Sequence, residues 1–156
     1  ASDVYKRQVL NGILNLLKQA APDDWVLVHD AARPCLRRED LAKLIDTLSD
    51  DEVGGLLAVP TRDTMKEADA QGRVVATLER SRIWHALTPQ MFRLRTLHDA
   101  LAQARDAGRA VTDEASAIEY LGLKPKLVEG HADNLKITRP EDLALAGFHL
   151  QQQERL

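Results

Sequence analysis

The sequence predicts an α/β layered fold with a mostly parallel sheet, on three observations. Apolar residues alternate along the chain between helical spacing and short continuous runs. The short runs stop at polar clusters, as strands buried on both faces do. Helix-like segments separate the runs, the order that builds helix-covered sheets rather than an all-helical or all-β domain.

Val9, Ile13, Leu16, Leu17 and Ala20 recur at helical spacing and predict an amphipathic helix over 9–20. Ala21-Pro22-Asp23-Asp24 breaks it. Trp25-Val26-Leu27-Val28 reads as a central strand buried on both faces, ending at His29-Asp30. Leu41, Leu44, Ile45 and Leu48 mark a second helix, and Gly54-Gly55 introduces the strand Leu56-Leu57-Ala58-Val59, stopped by Pro60. Residues 61–78 are polar at first and then strand-like, so two extended arms about Gln71-Gly72 predict a projecting β-ribbon. A lone ribbon is marginal in water and needs another surface. Leu94, Leu97, Leu101 and Ala104 define a third helix stopped by Gly108. Thr112-Asp113 caps a fourth over 114–121. Residues 126–129 and 135–137 read as the last strands. Thr138-Arg139-Pro140-Glu141 opens a final helix with a Thr cap and a Glu three residues later. Residues 151–156 are expected to fray.

The 156 residues suit one domain, and a chain of this size buries roughly 68–70% of its unfolded surface. A net charge of -3 argues against a nucleic-acid reader working through a basic surface. No apolar run approaches the ~20 residues of a membrane span. The lone Cys35 excludes an intramolecular disulfide and fits a reducing, cytoplasmic setting. The five histidines, His29, His85, His98, His131 and His149, lack the close spacing of a metal site. No Gly-x-Ser-x-Gly elbow supports a serine hydrolase.

In α/β sheets ligands bind beyond the carboxyl ends of the strands. Three polar clusters fall there: 29–34, 61–66 and 133–138. Asp30, delivered by a buried strand, precedes the small Ala31 and Ala32, which leave room for a ligand, and Arg33 offers a planar fork for an oxyanion. On pattern alone the simpler reading is a turn cap at Asp30 with Arg33 paired to it. Arg80 and Lys136 are isolated cations beside apolar runs and suit phosphate positioning, although for either alone a solvated surface charge is the simpler reading. Thr64, Thr88 and Thr112 are individually silent.

Taken in order, the strings Trp25-Val26-Leu27-Val28-His29-Asp30-Ala31-Ala32-Arg33-Pro34, Arg62-Asp63-Thr64-Met65-Lys66 and Trp84-His85-Ala86-Leu87-Thr88-Pro89-Gln90 are more specific. Thr112-Asp113-Glu114-Ala115-Ser116, Val128-Glu129-Gly130 and Asp133-Asn134-Leu135-Lys136-Ile137-Thr138-Arg139-Pro140-Glu141-Asp142 continue them. Over about 9–150 the chain closely resembles the 2-C-methyl-D-erythritol 4-phosphate cytidylyltransferase family of non-mevalonate isoprenoid biosynthesis.

The resemblance implies a Rossmann-like nucleotidyltransferase sandwich whose β-arm, about 61–80, clasps a second subunit in a homodimer. It implies transfer of a cytidylyl group from CTP to the polyol phosphate with Mg2+, in the bacterial cytoplasm, with no nucleic acid and no membrane involved. By similarity Lys136 and Arg80 orient the attacking phosphate, Arg80 coming from the partner's arm. Asp30 binds the sugar alcohol, Ala31 and Arg33 lie against the nucleotide, and Thr64, Thr88 and Thr112 make further substrate contacts. Asp133 is a candidate beside the metal or nucleotide, and the triphosphate itself can hold most of the Mg2+ shell.

The family opens with a strand and a Gly-rich triphosphate loop bearing an Arg and a Lys. None of the eight glycines here forms such a loop. Residues 1–8 also fit poorly, with Lys6-Arg7-Gln8 where the family has a Glu-Arg pair and a Ser. The expectation is a C-terminal portion, 9–150, behind a non-native segment, 1–8, and inactive by itself. Two other readings are a ribitol 5-phosphate cytidylyltransferase on the same fold and a non-catalytic dimerisation fragment that keeps the arm.

Overall fold

A computed structural model describes residues 2–155, with side chains from Gln8 onward. Two faces of one sheet carry the core. The strands are β1 (Trp25–Val28), β2 (Gly54–Pro60), β3 (Lys66–Ala68), β4 (Val74–Thr77), β5 (Trp84–Arg93) and β6 (Lys126–Glu129). The helices are α1 (Ser2–Leu16), α2 (Arg38–Leu48), α3 (Leu94–Asp106), α4 (Glu114–Tyr120) and α5 (Pro140–Gln152). The main sheet has the order β1-β5-β2-β6. β5 runs antiparallel to both its neighbours and β2 parallel to β6, so β1, β2 and β6 share one direction. The carboxyl ends of those three strands therefore meet the amino end of β5 along one edge.

Period-two alternation divides the strands between the faces. Leu56 and Phe92 pack with Leu94, Leu97, Leu101 and Ile118 beneath α1, α3 and α4. Their neighbours Leu57 and Met91 point the other way, onto Leu44 and Leu48 of α2 with Val128 of β6. Helices thus cover both faces, as the layered α/β reading expects. Among the described residues β3 and β4 pair only with each other, the ribbon expected over 61–78. Among the described residues no helix is long and apolar enough to cross a membrane.

The differences from the sequence reading have local causes. β1 is an edge strand among the described residues, half-buried throughout rather than central, because only β5 pairs with it. The central position belongs to β5, whose polar Thr88 and Gln90 hide its strand pattern. α1 covers 2–16 and ends before the expected 20, where Gln19 N–H turns back to the Leu16 carbonyl. Side chains of 1–7, on which a foreign N-terminus would be judged, lie outside the described ones. Residues 135–137 form no strand. Ile137 N–H makes one bond, to the Ala32 carbonyl, and no ladder follows. The last helix is capped by Asp142, not by Thr138 with Glu141: its Oδ2 accepts from the N–H groups of Thr138 and Arg139 and from the Thr138 hydroxyl. Beyond this helix, Gln153 Nε2 donates to the Cys35 carbonyl and Arg155 to the Leu36 carbonyl.

The entry to β2 depends on Asp51. Its Oδ1 accepts from Val53 N–H and Gly54 N–H, each at 2.9 Å. The Gly54 bond, helped by Val53 and Lys126, outweighs burial and holds this carboxyl below its ordinary range. Its stabilising contribution is complete above the unfolded carboxylate pKa and is lost as pH falls through the lower folded one. Asp51→Ala is expected to cost about 1–2 kcal/mol at neutral pH. In urea melts that deficit should shrink in acid, and an equal deficit at neutral and acid pH would contradict this role.

Candidate active site

Two of the three polar clusters, 29–34 and 133–138, meet around Asp30. β1 ends one residue before His29, and Asp30 N–H donates to Thr88 Oγ1 of β5 at 3.0 Å. Asp30 Oδ1 accepts from Ala32 N–H, while Oδ2 lies 2.7 Å from Lys136 Nζ. Burial alone raises the pKa of this carboxyl. The Lys136 and Ala32 hydrogen bonds, with the charges of Lys136 and Arg33, outweigh it and lower the pKa. Asp30 is therefore ionised at neutral pH and faces Lys136, half of whose side chain is open to solvent.

Arg33 meets Asp30 through the backbone, its N–H donating to the Asp30 carbonyl at 2.9 Å, and its guanidinium makes no hydrogen bond to the Asp30 carboxylate. Its guanidinium donates instead to the Asn134 carbonyl at 2.7 Å. Burial lowers its pKa and the Asp30 charge opposes that shift. Asn134, fully buried, donates its amide to the Thr88 carbonyl at 2.8 Å. One residue thus ties the post-β1 loop to β5 and carries Lys136 two positions on. Nothing in the sequence singled Asn134 out, because a lone Asn in a polar stretch reads as a turn. His29 was passed over for a similar reason, yet its ring bridges the Arg33 carbonyl and Thr88 Oγ1.

Thr112 stands one residue before the α4 cap. Asp113 accepts from Ser116 N–H, and buried Gln90 clamps this terminus to β5 by donating to Asp113 and accepting from Ala115 N–H. Gln90 lies two residues beyond Thr88, so one strand serves both pieces. Arg80 and Thr64 are elsewhere, at the base of the arm. Arg80 opens a short 3-10 turn, and its guanidinium donates to the Arg62 carbonyl at 2.9 Å. Ala31 is exposed on the loop beside Asp30.

Asp133, the candidate beside the metal or nucleotide, is engaged through one oxygen, while its Oδ1 is buried without a hydrogen-bond partner. Its Oδ2 takes two hydrogen bonds from Arg37, at 2.9 and 2.7 Å, and one from Gln153. Burial opposes its ionisation, and these bonds more than offset that, lowering its pKa. The group fastens α2 to the end of α5. Among the described residues no three His, Cys, Asp or Glu side chains come together as a metal cage. Cys35 is buried, with burial raising its thiol pKa, as an inert core thiol would show.

A separate groove of about 560 Å³ opens near the ends of β2 and β6, lined in part by Asp40, Lys43, Arg62, His85 and His131. Buried Asp40 accepts there from both the backbone N–H and Nδ1–H of His131. None of Asp30, Thr88 or Lys136 lines it.

The family model of 2-C-methyl-D-erythritol 4-phosphate cytidylyltransferase matches residues 3–152. The chain belongs to this family. The cytidylyltransferase of Pseudomonas aeruginosa is 65% identical over 136 residues, covering 86% of this chain and 58% of that protein. That of Pseudomonas syringae pv. tomato is 63% identical over the same shares. The chain thus spans somewhat over half the length of the curated cytidylyltransferases it matches. A solved 4-diphosphocytidyl-2C-methyl-D-erythritol synthase aligns at a TM-score of 0.82 with 46% identity, over 93% of this chain and 66% of that one. The Francisella tularensis cytidylyltransferase aligns at 0.81 with 39% identity, over 91% and 66%. The cytidylyltransferase strings at 29–34, 84–90 and 133–142 are those that the fold draws together at Asp30.

Proposed function

We propose that the protein carrying this chain transfers the cytidylyl group of CTP to 2-C-methyl-D-erythritol 4-phosphate in isoprenoid biosynthesis. The observation that carries this reading is the Asp30–Lys136 ion pair, held at 2.7 Å beside Thr88 at the edge of the sheet. A carboxylate there can accept from polyol hydroxyls, and an ammonium half open to solvent can hold a phosphate.

A substrate phosphate oxygen forms the new bond to the α-phosphorus of CTP. The bond from that phosphorus to the β-phosphate oxygen breaks, and pyrophosphate leaves with the electron pair. No side chain needs to form a covalent bond, so positioning and charge neutralisation do the work. Lys136 holds the attacking phosphate and partly neutralises it. Asp30 orients the alcohol portion, and Thr88 and Thr112 add contacts from β5 and the α4 cap. Ala31 and Arg33 lie against the nucleotide. A divalent cation belongs with the triphosphate in this reading, since phosphate oxygens can supply most of the shell of such an ion.

Arg80 and Thr64 would reach a site only across a dimer. Two features support that: they sit together at the arm base, and Val74 and Val75 are 63% exposed on a ribbon that pairs with nothing in the main sheet. Phosphorylated, charged substrates do not cross membranes unaided, which supports a cytoplasmic setting for the activity.

The test is pyrophosphate release by the full-length protein from CTP, with methylerythritol phosphate and ribitol 5-phosphate compared side by side. Preference for methylerythritol phosphate is expected. Preference for ribitol phosphate would overturn the substrate, and release with neither would overturn the activity in favour of a purely associative role.

A further inference from the structure

We propose that His29 is a positioning residue that sets the hydrogen-bonding sense of Thr88 toward its ligand. The inference rests on the reading that Thr88 faces the substrate.

A threonine hydroxyl has one proton and two lone pairs. One lone pair of Thr88 Oγ1 is already taken by Asp30 N–H at 3.0 Å. His29 Nδ1 lies 2.9 Å from the same oxygen, and His29 Nε2 lies 3.1 Å from the Arg33 carbonyl. A carbonyl only accepts, so Nε2 must carry a proton. In the neutral ring Nδ1 is then bare, and the Thr88 proton points at it. What Thr88 offers a ligand in that state is its second lone pair: it accepts from a hydroxyl and has no proton for an anion.

Protonating His29 reverses this. Nδ1–H then donates to Oγ1, both lone pairs are occupied, and the hydroxyl proton is released toward a phosphate oxygen. The two ligand parts, alcohol and phosphate, thus read opposite states of one hydrogen-bond chain. An anion that takes the Thr88 proton must draw a proton onto His29, since linkage between the two events is reciprocal. The charged groups around this ring are Asp30 and Arg33 on its own loop and Lys136, bound to Asp30, from the segment before α5. β5 contributes the uncharged Thr88.

Nitrogen-15 histidine spectra of the full-length protein test the chain without an assay. Above the ordinary histidine range, His29 is expected as the Nε2–H tautomer, and an Nδ1–H tautomer would overturn the proposal. At a fixed pH near ~6.5, saturating inorganic phosphate is expected to raise the doubly protonated fraction of His29 on the order of twofold or more. Simple attraction to an anion would do the same, so the Thr88 variants decide. Thr88→Ser keeps the hydroxyl and should keep the response, whereas Thr88→Val should lose most of it. An undiminished response in Thr88→Val overturns the coupling. Should Thr88→Val fail to fold, the wild-type tautomer and a lost response in Thr88→Ser remain decisive against it. Phosphate that perturbs Lys136 but not His29 overturns the coupling alone. Phosphate that perturbs neither overturns it together with the reading of the site.

Discussion

Lys136→Ala in the full-length protein is expected to lower turnover about 10²–10³-fold, the scale seen when one preorganised electrostatic donor is removed from a transition state. The fold should survive. Lys136 is half open to solvent, and its partner Asp30 keeps the Ala32 N–H and the nearby Arg33. A second effect follows from the pair. Lys136 is the main influence holding the Asp30 pKa down against burial. Without it that pKa rises, so the residual activity should fail at a higher pH on the acid side than the wild type does. Lys136→Arg should restore little, because a planar fork does not place its charge where an ammonium does. Steady-state rates over a pH series, with circular dichroism to check folding, would measure all of this. A Lys136→Ala enzyme with unchanged turnover would remove the residue from the reaction.

The largest stability effect is expected at Gly55. A Cβ built there overlaps the Lys126 carbonyl oxygen and lies 2.8 and 2.9 Å from that residue's carbonyl carbon and nitrogen. All three are backbone atoms of β6, and Gly55 pairs in register with Lys126. No rotamer can relieve the overlap, so β2 and β6 must separate. Gly55→Ala should therefore cost more than about 3 kcal/mol, beyond the usual range of overpacking. Gly122→Ala is the contrast. It has a φ of +79° but nothing within 4 Å of the added carbon, so only backbone strain of about 1–2 kcal/mol applies. Urea midpoints of the two variants would separate steric conflict from strain. Equal losses would show that β2 and β6 do not approach as closely as the register requires.

Much of the layered fold is legible in the residues because burial enforces periodicity. Leu94, Leu97 and Leu101 announce α3, and Leu56-Leu57 announce a strand with cores on both faces. Legibility fails where polar residues serve the interior. β5, the strand between β1 and β2, escapes notice because the polar side chains of Gln90 and Thr88 accept hydrogen bonds from backbone N–H groups of Ala115 and Asp30. The contact of the last helix's end is hidden for a related reason: a Gln-rich tail carries no periodic signal, and only the fold shows Gln153 reaching the Cys35 carbonyl.

The candidate site divides in the same way. Which chemistry is present is already legible in the residues: a carboxylate, an ammonium, a guanidinium and hydroxyls beside apolar runs, in an order that resembles one family. Side-chain type is local information, and so is the end of a strand. Tertiary structure alone decided the pairings: Asp30 with Lys136 rather than with Arg33, Arg33 on the Asn134 carbonyl, Asp133 on Arg37, and Thr88 between Asp30 and His29. Hydrogen bonds and ion pairs depend on separations of a few ångströms, and those are set by how β1 and the segment before α5 flank β5, not by spacing along the chain.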